Sequence, residues 1–245
     1  MTLKKTIADY RNAYRGRRAF LIGNGPSLSH TPLDRLCNEY TFAMNRIALL
    51  YQMLRWRPTF FVCTTTNIAR PTWREDIHAT LREGMPAFIW DKLAEHVQGF
   101  DNTLTINCTH GEHIVPEAQD EWWSDDCAER VCKFGTSMLV ALQLAVYMGF
   151  SPIYLLGCDL GFKPDPTQRK DAPVDEPRVD PNHFHPDYGT PGCSADQLNM
   201  NMRAAHELAN RAAQRLGVQI YNATIGGELD IYPRAEFYRL LRVAA

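Results

Sequence analysis

No stretch of the 245-residue chain stays apolar for the ~20 positions a membrane-spanning helix needs; the longest candidate, Met138 to Phe150, is interrupted by Gln143. An excess of charge of one sign is missing too. Lys and Arg number 26 against 28 Asp and Glu, leaving a formal charge of -2 and an isoelectric point near 6.4. That balance excludes the basic face on which nonspecific nucleic-acid binding depends. At the N-terminus Lys4 and Lys5 could open a secretory leader, but Asp9, Arg11, Arg15, Arg17 and Arg18 stand where its apolar segment would have to be. The seven cysteines (37, 63, 108, 127, 132, 158 and 193) are odd in number and contain no C-x-x-C pair. Neither a zinc knuckle nor a dithiol motif is therefore expected. Free thiols in a reducing compartment fit this usage, and a cytoplasmic location is the expectation. There is no internal repeat or low-complexity tract.

What remains is the profile of a folded globular chain, 45% hydrophobic and 22% charged. Its length is enough to bury about 70 to 75% of the extended chain's surface in one large core. Short β-rich runs alternate with helical patterns, the signature of an α/β fold on a mainly parallel sheet with helices on both faces. Strands are predicted at Ala19–Ile22, Thr41–Met44, Thr59–Cys63, Ala87–Trp90, Thr103–Ile106, Ile153–Leu156 and Val218–Tyr221. Helices are predicted over Met138–Met148, capped by Thr136 or Ser137 and stopped by Gly149, and over Asp196–Leu216, stopped by Gly217. Leu3, Ile7, Tyr10 and Tyr14 suggest a further helix at the N-terminus. Between the Met138 and Asp196 helices, after the Ile153 strand, Gly161 to Ser194 holds seven of the fifteen prolines and almost no periodicity. A structureless segment this long reads as a lid or an insertion rather than as core. The whole chain, 1–245, is read as a single Rossmann-like domain.

In open parallel sheets ligands bind beyond the carboxyl ends of the strands. Those ends read Gly23-Asn24-Gly25-Pro26-Ser27, Asn45-Arg46, Thr64-Thr65-Thr66-Asn67, Gly157-Cys158-Asp159 and Asn222-Ala223-Thr224. Turn preference alone enriches such residues at one end, but five together point to a site. The first turn looks like a phosphate cradle, since its two glycines let backbone amides approach an anion. It lacks the Gly-Lys-Ser/Thr of a P-loop, and Pro26-Ser27-Leu28 interrupts the dinucleotide fingerprint. Asn45 stands where a nicotinamide site places an acidic residue, which sets NAD aside. Thr136 and Ser137 open the apolar helix with two hydroxyls, suited to a carboxylate or a phosphate as well as to plain capping. Asp159 could hold a sugar hydroxyl, a base amine or a metal, or serve as a buried structural carboxylate.

Histidines fall in two close pairs, His110 with His113, and His183 with His185 beside Asp187 and Tyr188. Neither has the spacing of a zinc site, and no metal is expected. A lid imidazole reads instead as a general base that comes into register on closure, an unemployed loop histidine being the plain alternative. Trp122 and Trp123, among Glu117, Asp120, Glu121, Asp125 and Asp126, suit either a sugar-stacking platform or the anchor of an acidic surface helix.

These motifs carry a resemblance. Residues 19–28 (AFLIGNGPSL), Phe42-Ala-Met-Asn45, Gly135-Thr-Ser137 and Pro152-Ile-Tyr-Leu-Leu-Gly-Cys-Asp159 together resemble two related groups. One is the hydroxymethylpterin-diphosphokinase-like family, which includes the Maf-type flagellin glycosyltransferases. The other is the bacterial lipooligosaccharide sialyltransferases. The likeness spans about residues 17–230. It implies a glycosyltransferase taking a CMP-sugar donor without metal or other cofactor, with a glycan or small molecule as acceptor. By position it assigns nucleotide or sugar binding to Gly23, Asn24, Gly25, Ser27, Asn45, Thr136, Ser137, Gly157 and Asp159, and catalysis to His183 or His185 and to Tyr188. The chain departs from those sialyltransferases in carrying Gly161 where a tyrosine stands two residues after the aspartate; Tyr188, Lys163, Arg169 or Lys170 could take over the leaving phosphate. The related diphosphokinases imply an alternative, Mg-dependent transfer from ATP to a pterin-like alcohol with Asp159 on the metal. A noncatalytic nucleotide-binding protein is a third reading, and homo-oligomerisation is left open.

Overall fold

The protein is described by a computed structural model over residues 5–110, 120–164, 180–189 and 195–241. Seven strands form one sheet: β1 (Ala19–Ile22), β2 (Tyr40–Met44), β3 (Phe60–Cys63), β4 (Ala87–Trp90), β5 (Thr103–Ile106), β8 (Ile153–Leu156) and β9 (Ile220–Asn222). A parallel pair, β6 (Cys108–His110) with β7 (Val131–Lys133), lies apart from it. The large sheet runs in the order β5-β4-β3-β2-β1-β8-β9, and every pairing in it is parallel. β1, β3 and β4 are buried at every position, because parallel strands need cover on both faces. This is the α/β fold expected, with six strands starting or ending within a residue of prediction and β9 beginning two residues later.

The order reverses between β1 and β8, in register from Ala19 against Ile153 to Ile22 against Leu156. Such a switch point splays the loops that follow the two strands and opens a crevice at their carboxyl ends. Among the described residues four α-helices accompany the sheet: α1 (Pro71–Arg82), α2 (Ser137–Tyr147), α3 (Ala195–Arg215) and the short α4 (Phe237–Leu240). α2 is buried almost all round, which explains its weak amphipathic pattern. Gln143, the polar break in its sequence, is fully buried and fully paired. Its Oε1 accepts from the Ser124 and Cys132 amides (3.1 and 3.0 Å), and its Nε2 donates to the Cys132 and Leu139 carbonyls (2.8 and 3.0 Å).

Three local expectations fail for physical reasons. The N-terminal helix is only a 3-10 turn, Ile7–Tyr10, because Asn12 enters the left-handed region at φ 55°. The amides of Asn12 and Tyr14 then donate to the Tyr147 and Met148 carbonyls, supplying partners the end of α2 would otherwise lack. Tyr14 meanwhile stacks on Phe150 at 4.8 Å. Trp122 and Trp123 do not sit on an acidic helix but at a single 3-10 turn over residues 120–122; Trp123 is buried with its indole N–H on Asp125. Finally, the proline-rich segment is not wholly outside the core: Phe184 and Tyr188 are buried members of it. Residues 165–179 and 190–194 of that segment lie outside the described residues, as do His113, Glu117 and Cys193.

Candidate functional site

A cavity of about 410 Å³ opens at the β1/β8 switch point. Ten of the twelve residues singled out from sequence line it: Gly23, Asn24, Gly25, Asn45, Thr136, Ser137, Gly157, Asp159, His183 and Tyr188. Ser27 and His185 do not. The two loops that form its floor touch directly. The Gly23 amide continues the β1/β8 ladder by donating to the Leu156 carbonyl at 2.7 Å, and the Gly25 amide donates to the Gly157 carbonyl at 2.9 Å. A Cβ on Gly25 would overlap the Asp159 carboxylate, and one on Gly23 would overlap the Gly157 carbonyl. The glycines that read as a phosphate cradle are thus also demanded by loop-to-loop contact.

Asp159 is already partnered. Its Oδ1 accepts from the Ser27 amide at 3.2 Å and its Oδ2 from the Ser27 hydroxyl at 2.8 Å. Burial raises its carboxyl above the usual range, against the opposing pull of those hydrogen bonds. Ser27 therefore fixes the aspartate from behind instead of facing the cavity.

Two amide oxygens, those of the cavity-lining residues Asn24 and Asn45, are buried without a hydrogen-bond partner among the described residues. Buried polar atoms are rarely left so, and both are ready to accept from a donor that enters. Asn45 is further distinguished by φ 55°, a conformation few residues other than glycine adopt at a strand end. Thr136 caps α2, its hydroxyl accepting from the Met138 amide at 3.2 Å. The Ser137 hydroxyl is held at 2.8 Å by that of Thr64, the fully buried residue that follows β3.

His183 and His185 differ sharply. Nδ1 of His183 lies 2.7 Å from Oδ2 of Asp180, with both side chains almost wholly buried. Its ring stacks on Tyr188 at 3.9 Å, nearly parallel, and meets Phe162 edge-on. Burial alone would raise the Asp180 carboxyl, but the hydrogen bond and charge of His183, with amides of the same segment, outweigh it and hold the carboxyl below its ordinary value. Nδ1 is engaged, and Nε2 of this cavity-lining ring has no hydrogen-bond partner among the described residues. His185 is more exposed, and its Nδ1 accepts from the Asp187 amide at 3.2 Å. Burial pushes the Tyr188 phenol up, against the opposing pull of the Asn45 side chain and of the Arg46 backbone and charge, so this cavity-lining residue keeps a neutral O–H.

The residue that sequence reasoning passed over is Arg46. Buried, it pairs through Nε with Asp76 of α1 at 2.6 Å and donates through Nη1 to the carbonyls of Asp187 and Tyr188. The guanidinium also lies over Trp73 and Tyr188. It ties the segment 180–189 to the sheet, helped by the Phe184 amide on the Asn24 carbonyl and by Asn182, whose side chain brackets the backbone of Lys163. An arginine directly after Asn45 at a strand end was the available signal. Lys163 lines the cavity mouth; Arg169 and Lys170 lie outside the described residues. Among the described residues, no group of three or more His, Cys, Asp or Glu could hold a metal ion, and no helix is long and apolar enough to cross a membrane.

No family model matches the sequence, and no curated protein does. Solved structures do match. The sialyltransferase CST-II in complex with CMP superposes with a TM-score of 0.53 over 89% of this chain and 86% of its own, at 12% identity. The fold is sialyltransferase-like. CstII from Campylobacter jejuni with cytidine-5'-monophosphate gives a TM-score of 0.47 at 12% identity, over 91% of this chain and 88% of that one. The Maf glycosyltransferase of Magnetospirillum magneticum AMB-1 gives 0.48 at 16% identity over 95% of this chain, which spans only 38% of the Maf protein's length.

Proposed function

We propose that the protein is a glycosyltransferase that uses a nucleotide sugar, most like a CMP-sialic acid-dependent sialyltransferase, with His183 as general base. The observation that carries this reading is the Asp180–His183 pair, which fixes Nδ1 at 2.7 Å and presents Nε2 at the wall of a cavity ringed by polar strand ends. The glycan or small-molecule acceptor hydroxyl gives its proton to Nε2 as its oxygen attacks the anomeric carbon. The bond from that carbon to the phosphate oxygen breaks, and the nucleoside monophosphate leaves with the electron pair. The Tyr188 hydroxyl and the Lys163 ammonium at the cavity mouth are suited to take up the charge that develops on the leaving oxygen. Asn24 and Asn45 offer their unpartnered oxygens to donors on the nucleotide, and the start of α2 offers hydroxyls and amides to an anionic substituent of the sugar. In this reading the chain, 1–245, works as a single domain.

The metal-dependent diphosphokinase alternative relies on Asp159, whose two oxygens are both taken by Ser27. A carboxylate in that state is poorly placed to hold Mg²⁺ with a triphosphate. The test is turnover of CMP-sialic acid, by hydrolysis or transfer to a sugar acceptor, in the wild type and in His183→Ala. Turnover that needs His183 is expected. Transfer from ATP with none from any nucleotide sugar overturns the reading, and CMP binding without turnover at any pH leaves the noncatalytic one.

A further inference from the structure

His206 of α3 lines the same cavity yet was not singled out by any motif. It is 6% exposed, and its hydrogen bonding fixes where its proton sits. The Tyr232 hydroxyl donates its one proton to the His206 carbonyl at 3.0 Å. The 3.1 Å contact between that same hydroxyl and Nδ1 must then be donated by the imidazole. Nδ1 carries the hydrogen, and Nε2 is left as a bare lone pair with no partner among the described residues. Burial, reinforced by the positive charge of Arg203, holds the imidazolium form down to a pKa of about 4, so the ring is neutral at physiological pH.

The surroundings say what this lone pair can meet. Met202, one turn earlier on α3, lines the same wall and offers no competing polar group. The adjacent turn of α3 rests on the start of α2: a Cβ at Gly135 would overlap the Asn201 carbonyl and press on Ala205. His206 is the residue of α3 directly after Ala205, and it shares the cavity wall with Thr136 and Ser137, the residues directly after Gly135. A lone pair repels the oxygens of a phosphate or carboxylate, so Nε2 itself accepts only a hydrogen-bond donor and leaves any anionic group to the hydroxyls and amides of α2.

We infer that His206 is a specificity-determining residue, whose Nε2 accepts a hydrogen bond from a neutral O–H or N–H substituent on the sugar held at the start of α2. This rests on the glycosyltransferase reading. In it, the α2 hydroxyls take the sugar's anionic group and His206 reads an uncharged substituent of the same ring. The bond is one a site built around a buried acceptor enforces strongly, since a sugar lacking that donor leaves Nε2 unsatisfied.

Calorimetric titration of wild type, His206→Gln and His206→Phe with two probes, CMP and CMP-N-acetylneuraminic acid, tests it. CMP affinity should be the same in all three. The sugar nucleotide should bind about tenfold more weakly to the Phe variant, the scale of one lost hydrogen bond, and Gln, which restores an acceptor, should recover most of that. If His206→Phe binds CMP-N-acetylneuraminic acid as tightly as wild type, the inference fails while the glycosyltransferase reading stands. Equal weakening toward CMP moves the contact to the nucleotide and overturns the sugar assignment. A wild type that binds no sugar nucleotide overturns both. Should the Phe variant not fold, imidazole ¹⁵N spectra of the wild type decide: Nε2 should be unprotonated at neutral pH and shift on adding CMP-N-acetylneuraminic acid, and a protonated or unmoved Nε2 sinks the proposal.

Discussion

Asp180 and His183, three residues apart in the proline-rich segment, form a 2.7 Å hydrogen bond with 6% and 8% of their side chains exposed. A carboxylate this deep is retained only when paired, so the contact both orders the segment and aims the imidazole. Removing the base should lower kcat of His183→Ala by about 10² to 10⁴-fold, the usual worth of positioned proton transfer. His185→Ala should stay within about threefold, since that ring is outside the cavity wall. Asp180→Asn is the more telling variant. Its amide can offer N–H to Nδ1, selecting the tautomer that blocks Nε2, so kcat should fall at least about tenfold with KM held. Steady-state kinetics on the three variants checks this; a His185→Ala enzyme as impaired as His183→Ala would reverse the assignment.

The guanidinium of Arg46 joins the sheet, α1 and the segment 180–189 through Asp76 and the carbonyls of Asp187 and Tyr188. Lysine has no planar fork with which to serve these partners at once. Arg46→Met should destabilise the fold by about 3 kcal/mol, the scale of a buried pair broken on one side, and Arg46→Lys should recover little. Trypsin-independent proteolysis, for example by thermolysin, should cut within 180–189 in both variants far faster than in the wild type. Unchanged cleavage would show that the segment is held by other contacts.

Much of this was legible in the sequence because the decisive features are local. β1, β4, β5 and β8 are short apolar runs ended by turn chemistry, and their bounds were read as they stand. The crevice residues follow from a rule about strand ends. All the failures but one share a cause: the partner lies far along the chain. Asn12 breaks a plausible helix because it meets the end of α2. Phe184 and Tyr188 look like loop residues until Asn24 and Arg46 hold them down. His206 sits in an ordinary amphipathic helix, and only Tyr232, 26 residues on, gives it a defined tautomer. α1 went unread because its charged residues masked Trp73, Ile77 and Leu81, spaced by four on its buried face.

His206 also sets an acid limit. Its folded pKa of about 4 lies below the ordinary value of 6.5, so between those pH values the unfolded chain binds a proton that the folded protein does not. Stability must then rise with pH across that window and fall as pH drops from about 6.5 toward 4, by up to about 3 kcal/mol from this group alone. Urea midpoints of wild type and His206→Gln at pH 7 and pH 5 measure it. The wild type should lose more on acidification than the variant; parallel losses would mean that His206 protonates in place.

Ser27 and Asp159 give the opposite sign. Burial already holds the Asp159 carboxyl above its usual range, and the Ser27 hydroxyl and amide oppose that shift. In Ser27→Ala the hydroxyl is lost, the folded pKa climbs further, and the folded state holds its proton more tightly than the unfolded chain does. Stability from such a group is full below the unfolded pKa of about 4 and is lost as pH rises through the folded value. The Tm deficit of Ser27→Ala against wild type should therefore widen from pH 4.5 to pH 7.5. Gly25→Ala should behave differently, because its Cβ meets the carboxylate sterically whatever its charge. Its Tm should drop by a similar amount at both pH values, and CMP binding should be lost with the turn. Thermal denaturation at the two pH values separates the cases: a pH-independent deficit for Ser27→Ala would mean that Asp159 is not held as a buried carboxylate, and would reopen it as a ligand for metal or ribose.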